Sequence, residues 1–175
     1  MHIKSKFLSA AISRYLLSIT VLVAMTAVAI AAVFTPSFNI VRAPIMARAG
    51  FVDSTDIKFK VRDGSSDVLH VPDAAETVVQ EIVIGPSGHS GWHSHPGPVV
   101  ILIKSGQMSF YDGDDPTCTV RTYGPGEAFI DSGQGHVHIA RNEGVENLEI
   151  WAVYFDVPPG QSVRTDAPNP GNCSF

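Results

Sequence analysis

The sequence is poor in positive charge and lacks the motifs of several common enzyme classes. Its 175 residues include 12 lysines and arginines against 17 aspartates and glutamates. The first 33 positions hold three of the basic residues and no acidic one, which leaves nine against 17, a formal charge of −8. This remainder has no basic cluster, and an acidic field repels nucleic acids, so we expect no nucleic-acid binding. A nucleophile motif, a phosphate loop and a dinucleotide fingerprint are also missing.

Cysteine is scarce as well, with Cys118 and Cys173 as the only two. They do not form a C-x-x-C pair, so nothing in the sequence indicates a redox-active dithiol. In an exported chain, two cysteines favour one structural disulfide, which would join the C-terminal tail to a hairpin loop. Two unpaired thiols are the alternative.

The first 33 residues differ in character from the rest of the chain. Three basic residues precede an apolar, uncharged stretch at 16–34. A basic start, an apolar core and small residues near its end are typical of an export signal peptide. Because the stretch is 19 residues long, a retained single-pass membrane anchor is the alternative. We therefore expect an exported protein, extracellular or in the cell envelope, that contacts a membrane only through this segment if it is not cleaved.

The remainder is predicted to be one β domain with two flanking segments. Residues 34–50 mix prolines and polar residues without a period, which predicts a linker or N-terminal arm, and residues 159–175 read as an irregular C-terminal tail. Between them, residues 51–158 alternate short β-type runs with turn residues and show no sustained helical period. Many short strands at this spacing favour a sandwich or barrel. The predicted strands are 57–61, 68–71, 77–84, 91–95, 99–104, 107–111, 117–123, 128–131, 136–141 and 148–156.

Histidines form the main candidate site. His93 and His95 lie two residues apart in a predicted strand, and alternate residues of a strand project from the same face. Two imidazoles on one face can converge on one metal ion, and a later segment supplies a third, His138. We predict these three as metal ligands. His136 falls on the same face as His138 and is either a residue at the mouth of the site or a fourth ligand.

These residues carry a resemblance to the cupin family over about residues 78–157. The run 88–95, followed by Gly106, is similar to the first cupin motif, in which H-x-H precedes a glutamate and a later glycine. The run 126–142 is similar to the second motif, which ends in glycine, two residues, histidine, three residues and asparagine. The positions that match this ending are Gly135, His138 and Asn142.

The chain departs from the cupin pattern at the glutamate of the first motif. The two possible spacings place Val99 or Val100 at that position, so the usual four-ligand metal shell lacks its carboxylate. Gln80, Glu81 and Glu149 are the residues that could point into the barrel and replace it. Glu81 and Glu149 lie in apolar runs, where a charged side chain needs a partner.

The resemblance implies a single jelly-roll β-barrel, all-β apart from an N-terminal signal or anchor helix, and is compatible with a homodimer. Three neutral imidazoles with open coordination positions are typical of catalytic metal sites, and nitrogen donors suit a divalent transition metal such as Fe, Zn, Cu, Ni or Mn. The leading hypothesis is an exported metal-binding protein with a small-molecule ligand and an unassigned activity. The alternatives are a three-histidine Fe(II) dioxygenase and a metal-free small-molecule binding module. An inward carboxylate and an apolar pocket beside the imidazoles would distinguish them.

Overall fold

The computed structural model describes residues 33–62 and 66–175. These ranges consist of β-strands and the turns and loops that connect them, without a helix. The predicted signal peptide or anchor lies, apart from Val33, outside the described residues. Within those ranges there is no helix with the length and apolar character that a membrane crossing requires. The strands are β1 (Phe38–Arg42), β2 (Ile45–Gly50), β3 (Ile57–Arg62), β4 (Ser66–Val71), β5 (Glu76–His89), β6 (His93–Ser94), β7 (Val99–Ser105), β8 (Met108–Asp112), β9 (Arg121–Tyr123), β10 (Ala128–Asp131), β11 (His138–Arg141), β12 (Leu148–Val157) and β13 (Thr165–Asp166).

The strands of the described residues form one 11-stranded sheet and a separate hairpin of β3 and β4. The longest strand, β5, pairs with β1, β2, β11 and β12. Beyond β12 the sheet continues through β7 to β10, and beyond β11 it continues to β6 and β8. Every pairing is antiparallel. This barrel-like sheet confirms the predicted all-β fold class.

The interior of the sheet is apolar because its central strands alternate buried and more exposed residues. On β12, Leu148, Ile150, Ala152 and Tyr154 are buried, while the residues between them are only half-buried. Successive side chains of a strand point to opposite faces, so one face of β12 lines the interior. The buried residues of β5, β7 and β8 join the same core. They are Val78, Ile84, Val99, Ile101, Ile103, Met108 and Phe110.

Residues 38–50, predicted from the sequence as a loose arm, form β1 and β2 instead. Both strands pair with β5, with Ile40 opposite Ile84 and Ala47 opposite Val79. The sequence shows no apolar period here because the side chains of both strands are exposed, apart from the half-buried Ile40. Backbone hydrogen bonds hold these strands on the sheet, and a side-chain pattern does not report such bonds.

The C-terminal segment 159–175 lies against the strands that carry the histidines. It is irregular apart from β13, which pairs with β6 and places Asp166 opposite His93. The predicted disulfide between Cys118 and Cys173 is present and joins this segment to the loop between β8 and β9. The last part of the chain is therefore covalently attached to the sheet close to the candidate site.

Candidate metal centre

The three predicted ligands His93, His95 and His138 lie together inside the barrel. His93 belongs to β6, His95 directly follows that strand, and His138 begins β11 directly opposite His93. Their exposed fractions are only 6%, 5% and 2%. The ring centroids are 4.5 to 5.1 Å apart, and one nitrogen from each ring lies within 4.8 Å of the others. These three imidazoles can therefore reach one metal ion together.

Hydrogen bonds set the tautomer of two of these imidazoles. Nδ1 of His93 lies 2.9 Å from the carbonyl oxygen of Gly91, and Nδ1 of His95 lies 2.8 Å from that of Val163. A carbonyl oxygen can only accept, so in both neutral rings Nδ1–H donates and Nε2 carries the lone pair. A metal ligand that binds through Nε2 needs this tautomer, held by a partner at the other nitrogen.

The protonation state of the group also suits a metal. Burial holds the pKa of His93 and His138 well below the ordinary histidine value and lowers the pKa of His95 as well. Burial disfavours the charged imidazolium, and for His93 and His138 a neighbouring imidazole adds repulsion. The three rings are therefore neutral near pH 7, which is the form in which histidine binds a metal. The donor set fits a divalent transition ion.

Asp131 lies next to His138, and the sequence analysis did not identify it as a residue of the site. It is the last residue of β10, is 3% exposed, and its Oδ1 lies 3.6 Å from Nδ1 of His138. Among the described residues, that Nδ1 has no hydrogen-bond partner, so the carboxylate is placed to accept its proton after a small shift. The sequence signal was an acidic residue at the end of an apolar strand, seven residues before His138.

A tight turn brings Asp131 and His138 together. Gly133 has a φ of 58°, in the left-handed region that favours glycine, and a Cβ at this position would overlap the carbonyl oxygen of Gly97. Glycine thus allows the loop after β10 to pass close to the loop that follows His95.

His136 lies next to the three-histidine group and does not join it. Its Nδ1 is 3.1 Å from Asp131, while its Nε2 is 3.2 Å from Asp112 and 3.6 Å from Asp114. The ring donates hydrogen bonds to the carboxylates of Asp112 and Asp131, and these raise the pKa of His136 to about 10, so the ring is an imidazolium near pH 7. A protonated ring has no lone pair for a metal. In the metal-free chain His136 is therefore the cation of an acidic cluster, and its role as a fourth ligand stays a prediction.

The two glutamates considered as replacements for the cupin carboxylate face away from the histidines. Glu81 accepts a hydrogen bond from Arg42 at 2.6 Å, and Glu149 accepts one from Lys104 at 2.7 Å. Their neighbours Ile82 and Ile150 line the interior, so the period of two puts both glutamates on the outer face. Both glutamates are therefore partners in outer-face ion pairs.

An apolar cavity of about 280 Å³ opens beside the three imidazoles. Most of its wall is aliphatic or aromatic, with the side chains of Phe110 and Met108 among them. Gln80, the third residue considered as a replacement for the cupin carboxylate, does line this cavity. Its amide oxygen, however, accepts a hydrogen bond from the Tyr154 hydroxyl at 2.9 Å, and its amide nitrogen donates one to the carbonyl oxygen of Ala43. Of the two features expected to distinguish the functional alternatives, the apolar pocket is present beside the imidazoles, and Asp131 supplies a buried carboxylate 3.6 Å from His138.

Comparisons with known proteins return similar structures and no similar sequence. No protein-family profile and no curated protein matches the chain. A conserved Klebsiella pneumoniae protein with a double-stranded β-helix domain is 25% identical, over 52% of this chain and 74% of that one, with a TM-score of 0.43. The polyketide cyclase RemF from Streptomyces resistomycificus is 21% identical, over 53% and 59%, with a TM-score of 0.43. A cupin-like protein from Thermotoga maritima is 19% identical, over 53% and 65%, with a TM-score of 0.44.

The neighbours in this comparison are thus cupin and double-stranded β-helix proteins, the family that the two histidine motifs resemble. This chain spans 59% of the length of RemF.

Proposed function

We propose that His93, His95 and His138 bind one divalent transition-metal ion through Nε2, at the wall of a cavity that takes a small organic molecule. The observation that carries this proposal is the convergence of three buried, neutral imidazoles, two of which already donate Nδ1–H to a carbonyl oxygen. Buried imidazoles without a ligand would leave unsatisfied nitrogens in an apolar interior, which costs free energy. Fe, Zn, Cu, Ni and Mn all fit this donor set.

The surroundings of the three rings suit a site that does chemistry. Three protein ligands leave coordination positions open, and a bound ion would supply a Lewis-acid centre there. The Phe110 ring stacks on His138 at 4.8 Å, and Tyr154 meets His95 edge-on at 5.1 Å. These aromatic contacts orient the imidazoles and exclude water from one side of the group.

A second candidate is a small-molecule dioxygenase that uses Fe(II) on the same three histidines. The apolar cavity favours it, because a dry pocket beside the ligands protects a bound substrate from competing reactions with water. The third candidate, a metal-free binding module, uses the same cavity without the ion.

We also propose that the protein works in an oxidising, exported compartment, and the disulfide supports this location.

Metal analysis of the purified protein tests the proposal. After loading with each candidate ion in turn and removal of the excess, we expect one tightly bound ion per chain. The variant His93→Ala/His95→Ala should lose it. His70→Ala is the matched control, because His70 is exposed and pairs with Asp56 away from the site. A folded wild-type chain that stays empty with every ion would contradict the metal site and leave the metal-free module.

A further inference from the structure

The cavity beside the histidines has one cationic side chain in its lining, in a protein that is acidic as a whole. Among the described residues that line it, Arg164 has the only charged side chain and no aspartate or glutamate takes part. The chain as a whole has more acidic than basic residues, so the absence of carboxylates here is a local property. An apolar pocket with a single cationic group complements an amphipathic anion.

Arg164 is held at the edge of the cavity by the C-terminal segment. Its Nη1 donates to the carbonyl oxygen of Ser90 at 2.9 Å, and its Nη2 donates to Asp166. Asp166 is 68% exposed, so water screens this ion pair and leaves much of the arginine's charge available. A guanidinium has five N–H donors in a planar fork, and these two contacts leave donors for a carboxylate.

The backbone around Arg164 is also fixed. The preceding residue, Val163, accepts the hydrogen bond from His95, and Ala167 donates to the carbonyl oxygen of Trp92 at 3.0 Å. The disulfide at Cys173 anchors the end of the same segment. A cation held in this way needs little reordering to bind a ligand, which reduces the entropic cost of binding.

We propose that the cavity binds a small apolar carboxylate, with its charged group at Arg164 and its hydrocarbon part against the aliphatic wall. This inference deepens the proposed function. It rests on the proposed metal ion only for part of the positive charge that would attract the ligand. A divalent ion on three neutral imidazoles, with Val99 or Val100 where the family has glutamate, would add two positive charges without a ligating carboxylate. Arg164 contributes its charge with or without that ion.

The size of the cavity limits the size of the ligand. Its volume of about 280 Å³ is nearly twice that of the ~150 Å³ protein cavity that holds one benzene molecule. A ring with a short side chain, about ten to twelve non-hydrogen atoms in all, fits this volume on that scale. Cinnamate and its uncharged amide have this size and differ almost only in charge.

Calorimetric titration of the metal-free protein with cinnamate and with cinnamamide tests the inference without any contribution from a metal. Hydrogen bonds to a charged group are worth enough for roughly a 10- to 100-fold preference for cinnamate. Arg164→Met keeps an apolar stem of similar length and should abolish the preference. Arg164→Lys should keep part of it. Lys104→Met removes one positive charge from the outer face and should leave the preference unchanged.

The possible outcomes separate this inference from the proposed metal site. Equal binding of the two compounds by the wild type, or a preference that survives in Arg164→Met, overturns the inference. Failure of both compounds to bind also overturns it, whatever the metal analysis gives. A preference that depends on Arg164 supports it even when no metal binds, and in that case the metal proposal alone is wrong. If Arg164→Met does not fold by circular dichroism, Arg164→Lys decides between the outcomes, because a reduced or lost preference supports the inference and a preference equal to that of the wild type overturns it.

Discussion

His136 and His138 are two residues apart, but near pH 7 the first is a cation and the second is neutral. His138 lies among apolar side chains and other imidazoles, and burial holds its pKa well below the ordinary value. His136 lies between Asp112 and Asp131, which raise its pKa to about 10. Asp131 is within 3.6 Å of both rings. The comparison shows that the groups around each ring, and not its place along the chain, set its charge state.

The largest expected effect is on metal affinity, and it distinguishes His138 from His136. His138→Gln removes one of three nitrogen donors and should weaken metal binding by roughly 100-fold or more, since each ligand carries a large share of the binding free energy. His136→Gln should change metal affinity far less, because its amide can still donate to Asp131. Competition with a metal-binding dye measures both affinities. Equal losses in the two variants would show that His136 is a ligand and that the comparison is wrong.

Removing the shared carboxylate is expected to have an intermediate effect. Asp131→Asn keeps the size of the side chain and removes the charge that orients Nδ1–H of His138, and loss of such partners typically lowers metal affinity about 10- to 100-fold. Asp114→Asn is the control, because Asp114 is exposed and pairs with the ring of His136. Dye competition again gives the affinities, and thermal unfolding without metal checks the fold. An Asp131→Asn affinity equal to wild type would show that Asp131 is only a partner of His136.

The smallest expected effect is on the pH dependence of stability. The pKa of His136 is raised on folding, so its contribution is fully present below about pH 6.5 and is lost as the pH rises towards 10. On the order of 1 kcal/mol should disappear over this window, after allowance for the screening of a partly exposed ring. His136→Gln should lack this loss. Urea unfolding at pH 6.5 and pH 9.5 compares the two proteins.

The inner histidines act in the opposite direction. Their pKa values are lowered on folding, so their contribution is present above about pH 6.5 and is lost as the pH falls below it. The metal-free protein should therefore lose stability on both sides of the neutral range. A wild-type stability that is flat between pH 6.5 and 9.5 would contradict the ion-pair arrangement around His136.

Much of the fold could be predicted because runs of β-type residues between turn residues are a local property of the chain. The apolar runs that become β12 and β7 are bounded by turn residues, so both strands were found within one or two residues of their ends. β1 and β2 were missed for the converse reason. Their side chains remain exposed, and only backbone pairing with β5 reveals them as strands.

The residues of the candidate site also fall into those that the sequence predicted and those that it did not. The pair His93 and His95 follows from the period of two in a strand, and the spacing of the second motif identified His138. Asp131 could not be assigned to the site, because its distance from His138 depends on the turn at Gly133. The sequence likewise left Arg164 in an irregular tail without any sign that it lines a cavity.

Sequence alone was enough for the all-β class, the positions of most strands and the set of histidines that can meet, because periodicity and motif spacing belong to the chain. The tertiary structure decided which of those rings are neutral, which carboxylate supports them and which cation lines the pocket. Desolvation and charge depend on atoms from strands distant in sequence, such as Asp112 on β8 beside His136 and Val163 beside His95. No local pattern of residues contains those distances.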